Sequence, residues 1–365
     1  MAFGAFGLFW GAWGAALPAV QRRSGAADAE LGLALLLVAL GALASMRATG
    51  VLLDRLGPRL APASVAAFGV AGLLPPLADS PAKLAVFLLA LGAASGAMDV
   101  AINAQAAREE IVSRRPLLNL AHATFSGAVV CSSLATGALR SGGASTSVVF
   151  GLAGGAVLAT AIVTWSREEA WEAPPRERRS RIRGWVLVLG ALGALAYWIE
   201  NAWQSWSAVH LERTLDAEPA VSGLGPAVFA AAMTAGRLSA HRLRPRSERT
   251  VLVAGAALAG VGSALAAAAP SAGVALAGIV VAGAGCSVCA PTILSVAGRA
   301  AAPGERGTIV GSVTTLMYLG FLVGPAAVGG LAELTTLRIS LGSVAALAFL
   351  LSLLFVRVRL PARER

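Results

Sequence analysis

Met46-Arg47-Ala48-Thr49-Gly50-Val51-Leu52-Leu53-Asp54-Arg55-Leu56 closes one long apolar stretch of this chain. Met233-Thr234-Ala235-Gly236-Arg237-Leu238-Ser239-Ala240-His241-Arg242-Leu243 closes another. The two segments share a Met-x-Ala opening and an Arg-Leu ending at one constant offset. Farther along, Gly92 aligns with Gly283 and Arg108 with Arg299. The first and second halves of the chain therefore look distantly related. Duplicated halves built from apolar stretches are the mark of many membrane transport folds, with a polar site near the midplane where the repeats meet.

Working outward from these segments, twelve apolar stretches follow one another. They run over roughly 2–21, 31–53, 61–79, 83–106, 117–139, 144–165, 184–209, 219–240, 249–268, 272–298, 307–332 and 336–356. A helix needs roughly 20 apolar residues to cross the hydrocarbon core of a bilayer, and each stretch is of that order. The fold expected is all-α: twelve transmembrane helices in two pseudo-symmetric six-helix bundles. The first bundle covers 1–166, a basic linker covers 167–183, and the second bundle covers 184–365. Composition agrees, since 57% of the 365 residues are hydrophobic, 13% are charged, and the mean hydropathy is +0.74. The first stretch lacks a basic leader, and polar flanking comes only at Gln21, Arg22 and Arg23, so it reads as a spanning helix and not as a signal peptide.

The formal charge is +10. A basic total suggests nucleic acid only when it clusters on a soluble face, and here it lies in short loops. The loops after even-numbered spans, the span ends beside them and the C-terminal tail carry 22 of the 29 Lys and Arg, against 6 on the opposite side. The positive-inside rule then places both termini and the linker in the cytoplasm. Arg176, Arg178, Arg179, Arg181 and Arg183 crowd the end of the linker, where anionic headgroups are the expected contact. The Ala-, Gly- and Arg-rich composition with one Lys looks bacterial, so the expected location is the inner (plasma) membrane. Cys286 and Cys289 form a C-x-x-C with no second pair or His beside it, so neither a metal nor a cofactor is expected. No nucleophile–base pair or phosphate loop is evident, and an enzyme is not expected.

Three groups of residues carry the functional reading. Asp99 lies in the fourth span. A carboxylate there costs about 2.5–3.5 kcal/mol on insertion scales, so it faces a cavity or a partner and is a candidate proton carrier. Asn103 lies one turn away on the same face, which Gly92 and Gly96 also share. In the seventh span Glu200, Trp203, Gln204 and Ser207 form one stripe, with Asn201 adjacent. An acid, an amide and an indole together suit a sugar or another polyol. His122, in the fifth span, is a candidate proton relay. Arg47 either snorkels to the interface or neutralises Asp99, and Arg237 fits a latch or headgroup contact.

The third group is the loop Gly50-Val-Leu-Leu-Asp54-Arg55-Leu-Gly57-Pro-Arg59. It resembles the G-x-L-x-D-R-x-G-R-R/K loop of the major facilitator superfamily. Asp54 can accept helix-end and Arg hydrogen bonds, Gly50 and Gly57 allow close approach and a tight turn, and Arg55 and Arg59 face headgroups. Such a loop can latch two bundles on one side. The second copy has His241 at the Asp position. Within the superfamily, Met98-Asp99-Val-Ala-Ile-Asn103-Ala and Ala290-Pro291-Thr292-Ile293-Leu294 are similar to segments of the fucose-permease-like sugar transporter branch. Glu200-Asn201-Ala-Trp203-Gln204-Ser205-Trp206-Ser207 is similar to an E-G-x-x-x-D-W-S pattern of bacterial relatives, with Ser205 in place of its acid. The first span has no acidic residue, unlike fucose permeases, so a two-carboxylate proton scheme does not carry over whole. Gly320 through Gly330 resembles the antiporter motif of drug exporters in a different span, and there it reads as close packing.

The resemblance implies a monomeric secondary transporter working by alternating access. The expected partners are a small-molecule solute, protons and the lipid bilayer, and the expected process is proton-coupled uptake of a sugar or other small polar solute. Proton-antiport export of drugs or metabolites is the alternative. A sensor or scaffold on the same fold would move no solute.

Overall fold

The computed structural model describes residues 1–114, 117–165, 183–242, 248–302 and 305–361. Among them there are helices and turns but no strand. In the first half α1 is Ala2–Ser24, α2 Asp28–Leu56, α3 Leu60–Ala71, α4 Pro81–Ser113, α5 Leu117–Ser141 and α6 Thr146–Trp165. In the second half α7 is Gly184–Val209, α8 Pro219–Ser222, α9 Leu224–Arg242, α10 Glu248–Ala268, α11 Ala272–Ala300, α12 Arg306–Leu334 and α13 Leu337–Arg357. Eleven spans among the described residues are long and apolar enough to cross a membrane. The helix α5 is also 25 residues long, but Asn119, His122, Ser126, Ser132, Ser133 and Thr136 lower its hydropathy.

Local chemistry explains several boundaries. The Ser80 hydroxyl accepts from the Lys83 N–H at the start of α4, with Pro81 in the first turn where its missing donor costs nothing. The Thr336 hydroxyl accepts from the Ile339 N–H at the start of α13. The third span runs over Leu60–Leu77, but its α-helical part is shorter than the sequence suggests. Its α-helix stops at Ala71, and Pro75-Pro76 continue as a 3₁₀ turn to Leu77, because adjacent prolines remove two backbone donors. Pro291 and Pro325 sit inside α11 and α12 without ending them. The seventh span runs beyond α7 as a π turn over His210–Thr214.

The chain divides into two compact units, Met1–Pro174 with Asp216–Ala227, and Pro175–Leu215 with Val228–Arg365. The linker expected over 167–183 lies outside the described residues except for Arg183. That guanidinium donates to Glu305 at 3.4 Å, so it meets a protein carboxylate and not only headgroups. Within the first unit the main pairings are α1 with α5, α2 with α4, and α3 with α6. In the second unit the main pairings are α10 with α11, α7 with α12, and α10 with α13. The pairs α7–α12 and α10–α13 correspond to α1–α5 and α3–α6 of the first unit.

Small residues set these pairings. A Cβ on Gly92 of α4 would run into the Val38 backbone of α2. At the aligned position in α11, a Cβ on Gly283 would meet the Phe229 carbonyl of α9 at 2.9 Å.

The span expected over 219–240 is found as Pro219–Ser239, with a turn at Gly223 between α8 and α9. The segment Asp216–Ala227 joins the first unit through α5. The Ser133 hydroxyl donates to the Gly223 carbonyl at 2.9 Å, and the Ala220 N–H donates to the Ser141 hydroxyl at 2.8 Å.

Candidate functional site

Two polar clusters, one in each unit, contain the candidate residues. In the first, Asp99 and Asn103 are both half-buried on α4. The Asn103 amide donates to the Asp99 carboxylate at 3.0 Å and to its backbone carbonyl at 2.9 Å. This is the i, i+4 geometry that the sequence spacing implies. Gly96, one turn before, lies against the Ala42 backbone of α2, so α4 is held rigidly where it carries the acid. Asp99 has no salt-bridge partner among the described residues. Arg47 is exposed on α2 and does not neutralise it. His122 on α5 lies within electrostatic range of the Asp99 carboxyl, and its ring meets Phe3 edge-on with centroids 5.1 Å apart. The cluster therefore offers a titratable carboxyl, an amide that orients it, and an imidazole nearby.

The second cluster is built on α7. Glu200 is buried, and one of its oxygens accepts from the Gln204 amide at 2.9 Å. The guanidinium of Arg237, on α9, lies 4.0 Å from the same oxygen. This corrects the expectation of a latch or headgroup contact for Arg237. A helical side chain leans toward its helix's N-terminus, here toward the interior of the span and toward Glu200. The Asn201 amide donates to the Phe321 carbonyl of α12 at 2.8 Å and accepts from the Ser205 hydroxyl at 3.1 Å. Asn201 therefore ties α7 to α12 and has few groups left for a solute. Gly320 makes that approach possible, since a Cβ there would collide with the Ala194 carbonyl. The resemblance of this stretch to an antiporter motif thus reflects close packing.

Trp203 does not belong with Glu200 and Gln204. Its side chain is 0% exposed, and the indole N–H donates to the Ser263 hydroxyl of α10 at 2.8 Å. Ser207 is equally buried. One stripe of a helix spans more than one environment: Glu200 meets Arg237 of α9 and Gln204 is exposed, while 203 and 207 turn toward the core of the unit. The expected indole platform for a sugar is absent at Trp203.

A different aromatic group stands near Glu200. Tyr197, Tyr318 and Phe321 form a triangle with centroids 4.7–5.9 Å apart. Tyr197 is within electrostatic range of Glu200 and Arg237. These are the only two tyrosines of the chain. Tyr197 precedes Glu200 by three residues, a same-face spacing that could have revealed it. Tyr318 and Phe321 carried no such signal.

The loop after α2 is described in part. Gly57 has φ 60° and ends the helix, the tight turn expected of it. Gly50 is exposed, and a Cβ on it would meet nothing within 4 Å, so close approach is not its role among the described residues. Arg59 is exposed. The side chains of Asp54 and Arg55, and those of His241 and Arg242 in the second copy, lie outside the described residues. No cluster of three or more metal-ligating side chains occurs among the described residues.

Comparison with known proteins gives the family. A family model described as Major Facilitator Superfamily matches residues 1–325 and again 191–365. An uncharacterized MFS-type transporter of Yersinia pestis is 33% identical over 361 residues, which is 95% of this chain and 91% of that protein. The uncharacterized transporter y4wD of Sinorhizobium fredii is 33% identical over 365 residues, covering 95% and 94%. The membrane protein MosC of Rhizobium meliloti is 29% identical over 332 residues, covering 90% and 81%. Among solved structures, an inward-open xylose transporter XylE from E. coli superposes with a TM-score of 0.78 at 11% identity, covering 100% of this chain and 96% of that one. The nucleoside transporter NupG gives 0.76 at 13% identity, covering 98% and 96%. At such identities the structures speak to the fold alone. Fold, family model and full-length relatives agree: the chain is a multi-pass membrane protein, not an enzyme, and it belongs to the major facilitator superfamily of secondary transporters.

Proposed function

We propose that this protein couples proton entry to the uptake of a sugar or other small polar solute by alternating access. Asp99 carries the proton, Asn103 orients the carboxyl, and His122 relays between it and water. Glu200 and Gln204 bind the solute. The protein works as a monomer in the bacterial inner membrane with both termini in the cytoplasm, as the charge asymmetry of the loops suggests.

One observation carries this reading. Asp99 is a half-buried carboxyl in a spanning helix with an amide, and no cation, within bonding distance among the described residues. A permanently charged carboxylate there is costly, whereas one that gains and loses a proton with each cycle is not. The similarity of 98–104 and 290–294 to the fucose-permease-like branch supports a sugar or a related polyol.

The test is accumulation in intact cells. Asp99→Asn keeps the shape and the hydrogen bond to Asn103 but cannot carry a proton. Solute should still equilibrate down its gradient in this variant, and uphill accumulation should vanish. Full accumulation in Asp99→Asn removes Asp99 from the mechanism, and efflux against the gradient reverses the direction of coupling.

A further inference from the structure

We propose that Arg237 receives a carboxylate on the transported solute, so that the solute class narrows to small hydroxylated monocarboxylates such as sugar acids. The inference rests on the transporter reading above and deepens it.

The first observation is direction. An Arg about one turn from the end of a spanning helix ordinarily snorkels to the headgroups. Arg237 instead points at Glu200, the buried acid of α7. The second is incomplete bonding. The separation from Glu200 is 4.0 Å, and Arg237 makes no hydrogen bond among the described residues. A guanidinium has five N–H donors in a planar fork. Glu200 balances its charge at a distance but leaves the fork unfilled, partly because Gln204 already donates to the nearer Glu200 oxygen. The third is exposure. The Arg237 side chain is 48% exposed, against 9% for Glu200, so protein does not cover the fork. A cation that is charge-compensated, unsaturated in hydrogen bonds and open on one side fits a carboxylate, which supplies two acceptors in the plane of the fork.

The surroundings define the rest of the solute. Tyr197, which lies within electrostatic range of Glu200, packs with Tyr318 and Phe321 into an aromatic cluster, a surface suited to the C–H face of a polyol. Glu200 repels a second negative charge, which disfavours dicarboxylates and phosphate dianions. One proton moving with one monoanion carries no net charge, so the same solute is compatible with a single carrier at Asp99.

The test is ligand-dependent thermal stabilisation of the purified full-length protein. The probes are gluconate and glucuronate, their neutral counterpart glucose, and glucose 6-phosphate. The proteins are wild type, Arg237→Lys and Arg237→Gln. Wild type should be stabilised by a sugar acid and not by glucose. Arg237→Lys keeps the charge that balances Glu200, so it should fold, yet bind the acid about ten- to hundredfold more weakly because the planar fork is lost. Equal binding of glucose, undiminished acid binding in Arg237→Lys, a response to the phosphate ester alone, or no response to either acid each overturns the assignment. Failure here is distinct from failure of the transporter reading. A neutral sugar that moves with a proton overturns the carboxylate and leaves transport standing. Acid binding without any solute movement does the reverse.

Discussion

Replacing Trp203 with Phe separates a structural role for the indole from solute contact. Trp203 is fully buried, and its N–H donates to the Ser263 hydroxyl at 2.8 Å. The substitution removes this hydrogen bond, worth about 1 kcal/mol net. It also removes about 40 Å3 of side chain from a packed site, which at about 24 cal/mol per Å3 of residual cavity is about 1 kcal/mol. The Ser263 hydroxyl can turn to a carbonyl one turn back in α10, so it adds little. The expected cost is about 2 kcal/mol, and the solute never meets the indole. The assay is an apparent melting temperature in detergent beside uptake kinetics in proteoliposomes. Melting should fall by a few degrees while KM stays within about twofold. Ser263→Ala should destabilise by about 1–3 kcal/mol, because it leaves a buried N–H unpaired. The double substitution should cost less than the sum of the two. An unchanged melting temperature with a tenfold rise in KM would refute this placement and return Trp203 to the solute.

Other consequences are as direct. Arg237→Gln alone should lower stability by roughly 1–2 kcal/mol by leaving Glu200 without its cation, a value reduced from that of a buried pair by the exposure of Arg237; adding Glu200→Gln should restore much of the loss in the same melting assay. Gly92→Leu should deplete folded protein from membranes, because its side chain would meet the Val38 backbone, whereas Gly127→Ala, with nothing within 4 Å, should express normally. Cys286 and Cys289 are buried and should resist a small maleimide until the protein is denatured, as read by mass spectrometry of intact protein. The Asp79 carboxyl is held below its usual value by a hydrogen bond from Lys83 at 2.7 Å. Any stabilisation from that pair is present above the usual carboxylate pKa and is lost as pH falls below it; since the pair is fully exposed, Asp79→Asn should leave the melting temperature unchanged at neutral pH.

Much of the architecture is legible in sequence, for a physical reason. A bilayer demands long apolar helices, and hydropathy reads them directly. The Gly92–Gly283 correspondence was also readable, because close backbone approach leaves room for no other side chain. The misses share a different cause. Pro75-Pro76 shortened the third helix within a stretch that remained apolar throughout. The turn at Gly223 lies inside a span that is apolar throughout, so hydropathy carries no sign of it. At the sites, spacing gave the shared face of Asp99 and Asn103 because both sit on one helix. It could not separate Gln204 from Trp203, one residue apart on a face that meets several neighbours. Nor could it bring Arg237 to Glu200, since that contact depends on how α9 packs beside α7 and on the reach of a long side chain.

The most direct measurement is proton movement in lightly buffered proteoliposomes as solutes are added outside, with wild type and Asp99→Asn compared. Sugars, polyols, sugar acids and a few cationic drugs would be added one at a time. Wild type should alkalinise the outside medium with one class of small polar solute, and Asp99→Asn should not. Acidification, a response to drugs alone, or an undiminished response in Asp99→Asn would contradict proton-coupled uptake through Asp99.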